Sequence, residues 1–173
     1  MTPEQLAAKI RTIPDFPQPG IVFRDITTLL QDAAAFSASI EAMTAPLRGL
    51  KADALIGIES RGFIFGAPIA RELGIGFVPV RKLGKLPGET ISIEYDLEYG
   101  TNVLQIHRDA LHPGARVIIV DDVLATGGTV AGTLKLVEQH GAVPVAMSFL
   151  AELPALGGRA RLPDGIVSAL IAF

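Results

Sequence analysis

Cysteine is absent from the 173 residues of this chain. Disulfides, thiolate nucleophiles and cysteine-based zinc sites are thereby excluded. No apolar run approaches the ~20 residues that a helical membrane span requires. Met1-Thr2-Pro3-Glu4-Gln5 has neither the basic start nor the apolar stretch of a signal peptide. Excess positive charge is also missing. The formal net charge is −3, which gives no reason to expect nucleic acid as a partner. No repeat, linker or low-complexity tract divides the chain. What remains is the expectation of one cytoplasmic domain over residues 1–173, with no membrane association. Its 49% apolar content is enough to close a core without staples.

Thr2, Pro3 and Gln5 read as a capped helix start with proline in the first turn, and that helix is expected to end before Pro14. Residues 14–20 hold three prolines and a glycine and read as a stiff turn. Ile21-Val22-Phe23 is a short apolar stretch. Asp32 can cap a second helix whose Phe36, Ile40, Met43, Leu47 and Leu50 share one face, with Pro46 predicting a kink or an early end.

From residue 53 the chain alternates. Strands are predicted at Ala54–Ile58 and Phe77–Val80, with a helix over 62–73 between them that ends at Gly74. A polar loop over 82–90 leads to a hairpin of 91–99 and 102–106 about Gly100-Thr101. Val117–Val120 is a strand, and Val130, Leu134 and Val137 mark a helix closed by Gly141. Residues 143–150 and 166–171 supply the last strands. This order predicts an α/β fold, a mostly parallel twisted sheet flanked by helices, with a small N-terminal appendage.

The most informative stretch runs from Val117 through Asp121-Asp122-Val123-Leu124-Ala125-Thr126-Gly127-Gly128-Thr129. A buried strand meets two carboxylates, and a loop of glycine and threonine then enters a helix. In open α/β sheets ligands bind beyond the carboxyl ends of strands. Amides at the helix start favour an anion, Gly127 and Gly128 let that backbone approach it, and Thr126 and Thr129 add hydroxyl donors. Asp121 and Asp122 would repel a bare phosphate. They make sense as acceptors for sugar hydroxyls or as partners of a metal-bound ligand. The predicted ligand is a phosphorylated sugar. A cap followed by a simple turn is the alternative, but it needs neither the second acid nor the Thr-Gly-Gly-Thr run. The Gly-Lys-Ser/Thr of a Walker loop and the Gly-x-Gly-x-x-Gly of a dinucleotide fingerprint are both missing.

The run Val120 to Thr129 resembles the phosphoribosyl-diphosphate motif of the type I phosphoribosyltransferases, in the form found in their adenine-specific branch. In order, Asp15 to Gly20, Phe23-Arg24-Asp25, Gly57 to Phe63, Arg81 to Gly88 and Tyr95 to Gly100 resemble further motifs of that branch. The resemblance covers nearly the whole chain. It implies a base-binding hood over residues 1–30, an α/β core over 31–173 and a flexible loop over 81–100 that closes on the bound sugar. It also implies transfer of phosphoribosyl from 5-phosphoribosyl 1-diphosphate to adenine, giving AMP and diphosphate, with magnesium held mainly by the substrate. A homodimer follows from the same resemblance.

Carried over residue by residue, the resemblance sets the 5′-phosphate on Ala125, Thr126, Gly127, Gly128 and Thr129. It sets the ribose hydroxyls on Asp121 and Asp122. The diphosphate falls to Glu59, Ser60, Arg61 and Gly62 at a second helix start, and to Arg81, Lys82 and Lys85 of the loop. Val22, Phe23 and Arg24 would meet adenine, an apolar side chain stacking on the ring while backbone groups read its amino edge. Glu98 would exchange the purine proton, and Arg61 is the other catalytic residue. Guanine-specific relatives have an aspartate for the purine N7 where this chain has Ala125, which argues for adenine. From the residues alone, Arg61 pairing with Glu59, Glu98 as an ordinary strand residue and Phe23 as a core aromatic all stay open.

Two rival functions also stay open. One is the same transfer onto another base, such as xanthine or guanine. The other is a non-catalytic regulator that senses the sugar diphosphate or a nucleotide, although no helix-turn-helix or basic patch accompanies it. A phosphoacceptor receiver domain is discarded, because too little chain follows Asp122 to complete one.

Overall fold

Local signals fix most element ends. The Thr2 hydroxyl accepts from the Gln5 amide and the Gln5 side chain accepts from the Thr2 amide, which starts helix α1 (Pro3–Ala7). The helix stops at Ala7, much earlier than Pro14. Arg11–Pro14 instead forms strand β1, antiparallel to β2 (Val22–Asp25). The expected stiff turn joins them, and the Asp15 carboxylate accepts from the Gly20 amide at 2.7 Å. Helix α2 (Thr27–Gln31) follows, an element with no signal of its own in the sequence. Asp32 caps α3 (Ala33–Thr44), accepting from the Ala34 and Ala35 amides at 3.1 Å each. The early end expected at Pro46 is found: α3 passes into a single 3₁₀ turn over Ala45–Leu47. Leu50 lies past that turn and is exposed, so it does not share the buried face.

The computed structural model describes residues 1–95 and 102–173 in full, with the backbone alone at Asp96 and Thr101. Strand β3 (Ala54–Ile58), helix α4 (Gly62–Leu73) and strand β4 (Gly76–Lys82) are followed by β5 (Thr90–Asp96) and β6 (Thr101–His107). Then come β7 (Arg116–Leu124), α5 (Gly128–Gln139), β8 (Val143–Glu152) and β9 (Val167–Ala172). The sheet has seven strands in the order β5-β6-β4-β3-β7-β8-β9. The five from β4 to β9 are parallel, and the hairpin β5–β6 extends the sheet antiparallel to β4. The mostly parallel, helix-flanked sheet is as expected. Glu98, in the first predicted strand of the hairpin, and Gly100, in its turn, lie outside the described residues.

Side chains of the central strands alternate between two cores. Ile56, Ile58, Val117 and Ile119 pack with Val130 and Leu134 of α5. Leu55, Ile118 and Val120 pack with Phe65 and Ile69 of α4 and with Ile40 and Met43 of α3. Each such side chain, fully buried, contributes roughly 1.5–3 kcal/mol. Neighbouring strands β3 and β7 therefore send their helices to opposite faces, which opens a crevice beyond their carboxyl ends.

Candidate active site

Both acids sit on strand β7, which does not end at Val120 as its sequence suggested. Pairing with β8 continues past Asp121 to Leu124, so both carboxylates stand on the strand rather than in a loop. Asp122 is 3% exposed and Asp121 is half-buried. Burial first, and then the adjacent Asp122 carboxylate, push the Asp121 carboxyl well above the usual carboxylate range. Two adjacent carboxyl groups, one of them with its affinity for a proton raised, offer acceptors that suit the hydroxyls of a sugar.

Helix α4 begins against this strand. A Cβ on Gly62 would stand 2.8 Å from Asp121 Oδ1 and 2.9 Å from the Val120 carbonyl oxygen, so only glycine lets the helix start so close. The preceding residue, Arg61, places Nε 2.6 Å from Asp122 Oδ2. That contact is ionic rather than an aligned hydrogen bond. The guanidinium also lies 5.7 Å from the centre of the Phe23 ring, and Phe16 meets Phe23 edge-on at 5.2 Å. Arg61 thus links the acid pair on the sheet to the β1–β2 hairpin.

Glu59 follows β3, and the Glu59–Ser60 peptide is cis. Its carboxylate accepts from Arg81 Nε at 3.2 Å, from Arg81 Nη2 at 3.1 Å and from the Lys82 amide at 3.0 Å. Burial works against ionisation there, but Arg81 and the Lys82 amide hold the Glu59 carboxyl below its usual value. Arg81 Nη1 also donates to the Lys85 carbonyl at 2.9 Å.

These residues enclose a cleft of about 430 Å³. Glu59, Ser60, Arg61, Lys82, Asp121, Asp122 and Thr129 line it, whereas Arg81, Lys85 and Gly62 do not. Tyr95, Asn102 and Leu104 line it too. Nothing in the sequence singled out Asn102 or Leu104, and Tyr95 stood out only within its motif. A smaller hollow of about 70 Å³ adjoins the loop from Ala125 to Thr129. Gly127 sits there at φ +78°, and no side chain among the described residues caps α5. Its first amides are left for a ligand.

The other expected residues lie apart from the cleft lining. Val22 is exposed at the hairpin edge. The Arg24 guanidinium stacks 4.2 Å from the centre of the Phe173 ring and donates to Thr12 Oγ1 at 2.6 Å. Glu98 is outside the described residues. Sequence reading also missed Gly158, which packs against Ala125 and Gly127. Its only local signal was the pair Gly157-Gly158, which reads as a turn. Among the described residues no three histidine, aspartate or glutamate side chains gather as a metal cage.

An acid pair on β7, the Arg61 guanidinium and an uncapped helix start thus meet at the crevice of a parallel sheet. The chain belongs to the phosphoribosyl transferase family, whose model, described as "Phosphoribosyl transferase domain", matches residues 25–159. It is 61% identical over 157 residues to the adenine phosphoribosyltransferase of Roseiflexus sp. (strain RS-1), a match covering 91% of each chain. The solved adenine phosphoribosyltransferase of Thermoanaerobacter pseudethanolicus is similar with a TM-score of 0.95 and 54% identity, over 99% of this chain and 100% of that one. The Saccharomyces cerevisiae enzyme, solved with adenine and D-2,5-dideoxy-2,5-imino-altritol 1,6-bisphosphate, has a TM-score of 0.91 and 40% identity over 97% of both chains.

Proposed function

We propose that this chain transfers the phosphoribosyl group of 5-phosphoribosyl 1-diphosphate to adenine, giving AMP and diphosphate. One arrangement carries the reading. The acid pair on β7, the uncapped start of α5 and Arg61 meet at the crevice, with the Phe23 ring on the far side of Arg61. Relatives that match the chain over nearly its full length bear the name of that activity.

In this reading the 5′-phosphate rests on the amides from Ala125 to Thr129, where the positive end of α5 favours it. Asp121 and Asp122 bind the ribose hydroxyls. Ser60, Arg61, Gly62 and Lys82 receive the diphosphate. Glu59 holds Arg81 and Lys82 in place, since its own charge opposes that of the ligand. Arg81, on β4, reaches the diphosphate only by leaving Glu59, and Lys85 only if the loop that follows β4 moves inward. Phe23 stacks on the base, and the backbone of Val22 to Arg24 reads its edge. As N9 of adenine bonds to C1′, the C1′–O bond breaks and its electron pair leaves with the diphosphate. Glu98 takes the purine proton.

Magnesium fits this donor set as a companion of the substrate, because the described residues supply neighbouring acceptors but no cage of their own. When bound it neutralises charge on the leaving group. Residues 1–30 act as the hood over the base and residues 31–173 as the catalytic core. The chain works in the cytoplasm as a homodimer. No helix among the described residues is long and apolar enough to cross a membrane, and light scattering that returns a single-chain mass would overturn the dimer.

The test is product formation from 5-phosphoribosyl 1-diphosphate, magnesium and one base at a time. AMP from adenine alone is the expected result. A nucleotide from hypoxanthine, guanine or xanthine instead would overturn the base assignment. Binding of the sugar diphosphate without product from any base would favour a sensor.

A further inference from the structure

We propose that Glu152, Arg159 and Gly158 form a brace that sets the shape of the loop from Ala125 to Gly127, acting as positioning residues for the 5′-phosphate. The inference rests on reading that loop as the phosphate site.

The brace starts where β8 ends. Glu152 pairs in register with Leu124, the last residue of β7, and the next amide, Leu153, donates to the Leu124 carbonyl at 2.9 Å. The Glu152 side chain is largely buried, and both its oxygens accept from Arg159 Nε, at 3.0 and 3.1 Å. Arg159 Nη2 adds a further bond to Glu152, and Nη1 donates to the Val167 carbonyl of β9 at 2.9 Å. A planar fork engaged by two strands fixes the position of the residue that bears it. Arg159 lies in a 3₁₀ turn, Gly158–Arg161, and its neighbour Gly158 is the point at which that turn meets the loop.

The meeting is backbone on backbone. A Cβ on Gly158 would come closer to the Ala125 carbonyl oxygen than real Cβ atoms do, and would stand 2.8 Å from the Gly127 nitrogen. A Cβ on Gly127 would stand 2.6 Å from the Gly158 carbonyl oxygen. Gly127 needs glycine for its left-handed φ as well. Gly158 does not, since its φ lies outside that region. The absence of a side chain at 158 is therefore a requirement of the loop rather than of the turn. A pair that merely joined the ends of β8 and β9 would set no such condition.

Calorimetry with two probes separates the possibilities. Ribose 5-phosphate reports the loop, and diphosphate with magnesium reports the other end of the cleft. Gly158→Ala is expected to weaken ribose 5-phosphate binding by at least about tenfold, and Arg159→Ala by about three- to tenfold, as for loss of one charge-assisted contact. Arg159→Lys should recover part of that loss, and diphosphate binding should change less than about twofold in all three variants. Equal weakening of both probes together with a lowered Tm would make the pair merely structural and overturn the proposal. Undiminished ribose 5-phosphate binding in Gly158→Ala and Arg159→Ala, while Thr126→Ala weakens it, would overturn the brace and keep the loop reading. Failure of the unaltered chain to bind ribose 5-phosphate would overturn the loop reading and the brace with it. Should Gly158→Ala not fold, Glu152→Gln gives the same contrast, because it keeps the shape and removes the charge.

Discussion

The segment after β3 and the segment after β7 both leave a buried strand and both enter a helix without a side-chain cap. Their surroundings differ. From Glu59 to Arg61 the contacts are between charges, Glu59 with Arg81 and Arg61 with Asp122, and close packing enters only at Gly62. Around Ala125 to Gly127 the close contacts are backbone on backbone, against Gly158, and the charged pair Glu152–Arg159 stands behind that contact rather than in it. Contacts between charges keep some strength when a side chain shifts, because Coulomb energy falls slowly with distance. Close backbone packing has no such slack. The charged contacts of Glu59 and Arg61 should tolerate chemical adjustment, and the contact of Gly127 with Gly158 should not tolerate an added methyl.

The hardest test of that contrast is Gly127→Ala. It adds strain of order 1–3 kcal/mol at a left-handed φ, plus the contact with the Gly158 carbonyl. Loss of about 100-fold in kcat/KM is expected in steady-state kinetics, at about 1.4 kcal/mol per factor of ten. A loss under about threefold would show that the loop is as tolerant as its counterpart.

Arg61→Lys comes next. It keeps the charge near Asp122 but loses the planar fork over Phe23, so a decrease of about tenfold is expected, steepening with added salt. A decrease as large as that of Gly127→Ala, and independent of salt, would erase the distinction between the two segments.

Asp121→Asn has the smallest effect, on stability. The folded chain raises the affinity of Asp121 for its proton, so its contribution is fully present below the ordinary carboxylate value. That contribution is lost as pH rises through the raised value. Asparagine removes the loss, so Tm should increase by about 2–4 °C at mildly alkaline pH, the shift about 1 kcal/mol gives in a chain of this size. At acid pH the gain should vanish. Equal gains in thermal melts at both pH values would rule Asp121 out as the group that holds the proton.

Features encoded by neighbouring residues were legible in the sequence. The bounds of β3 and α4, the cap at Asp32 and the end of α3 before Pro46 all follow from a few adjacent side chains. Strand β1 was not legible, because Arg11–Pro14 has neither period nor length and becomes a strand only by pairing with β2. Strand β7 was read too short, since two acids look like a strand end until β8 is seen to pair beside them. The same limit applies to the crevice. Its charged and glycine-rich segments stand out along the chain, but Asn102, Leu104 and Gly158 reach it from distant positions. The turning of Arg81 onto Glu59 likewise joins residues far apart in sequence. Tertiary packing alone decides those contacts.

The hairpin of β1 and β2 forms its own two-stranded sheet, with no ladder to the seven-stranded one among the described residues. Under the proposed division of labour, recognition of the base and activation of the sugar belong to separately hydrogen-bonded pieces of chain, joined through the guanidinium of Arg61. Such a division makes the enzyme modular over evolutionary time. Substitutions can accumulate in a short hairpin and retune which base is accepted, while the transfer apparatus is inherited intact.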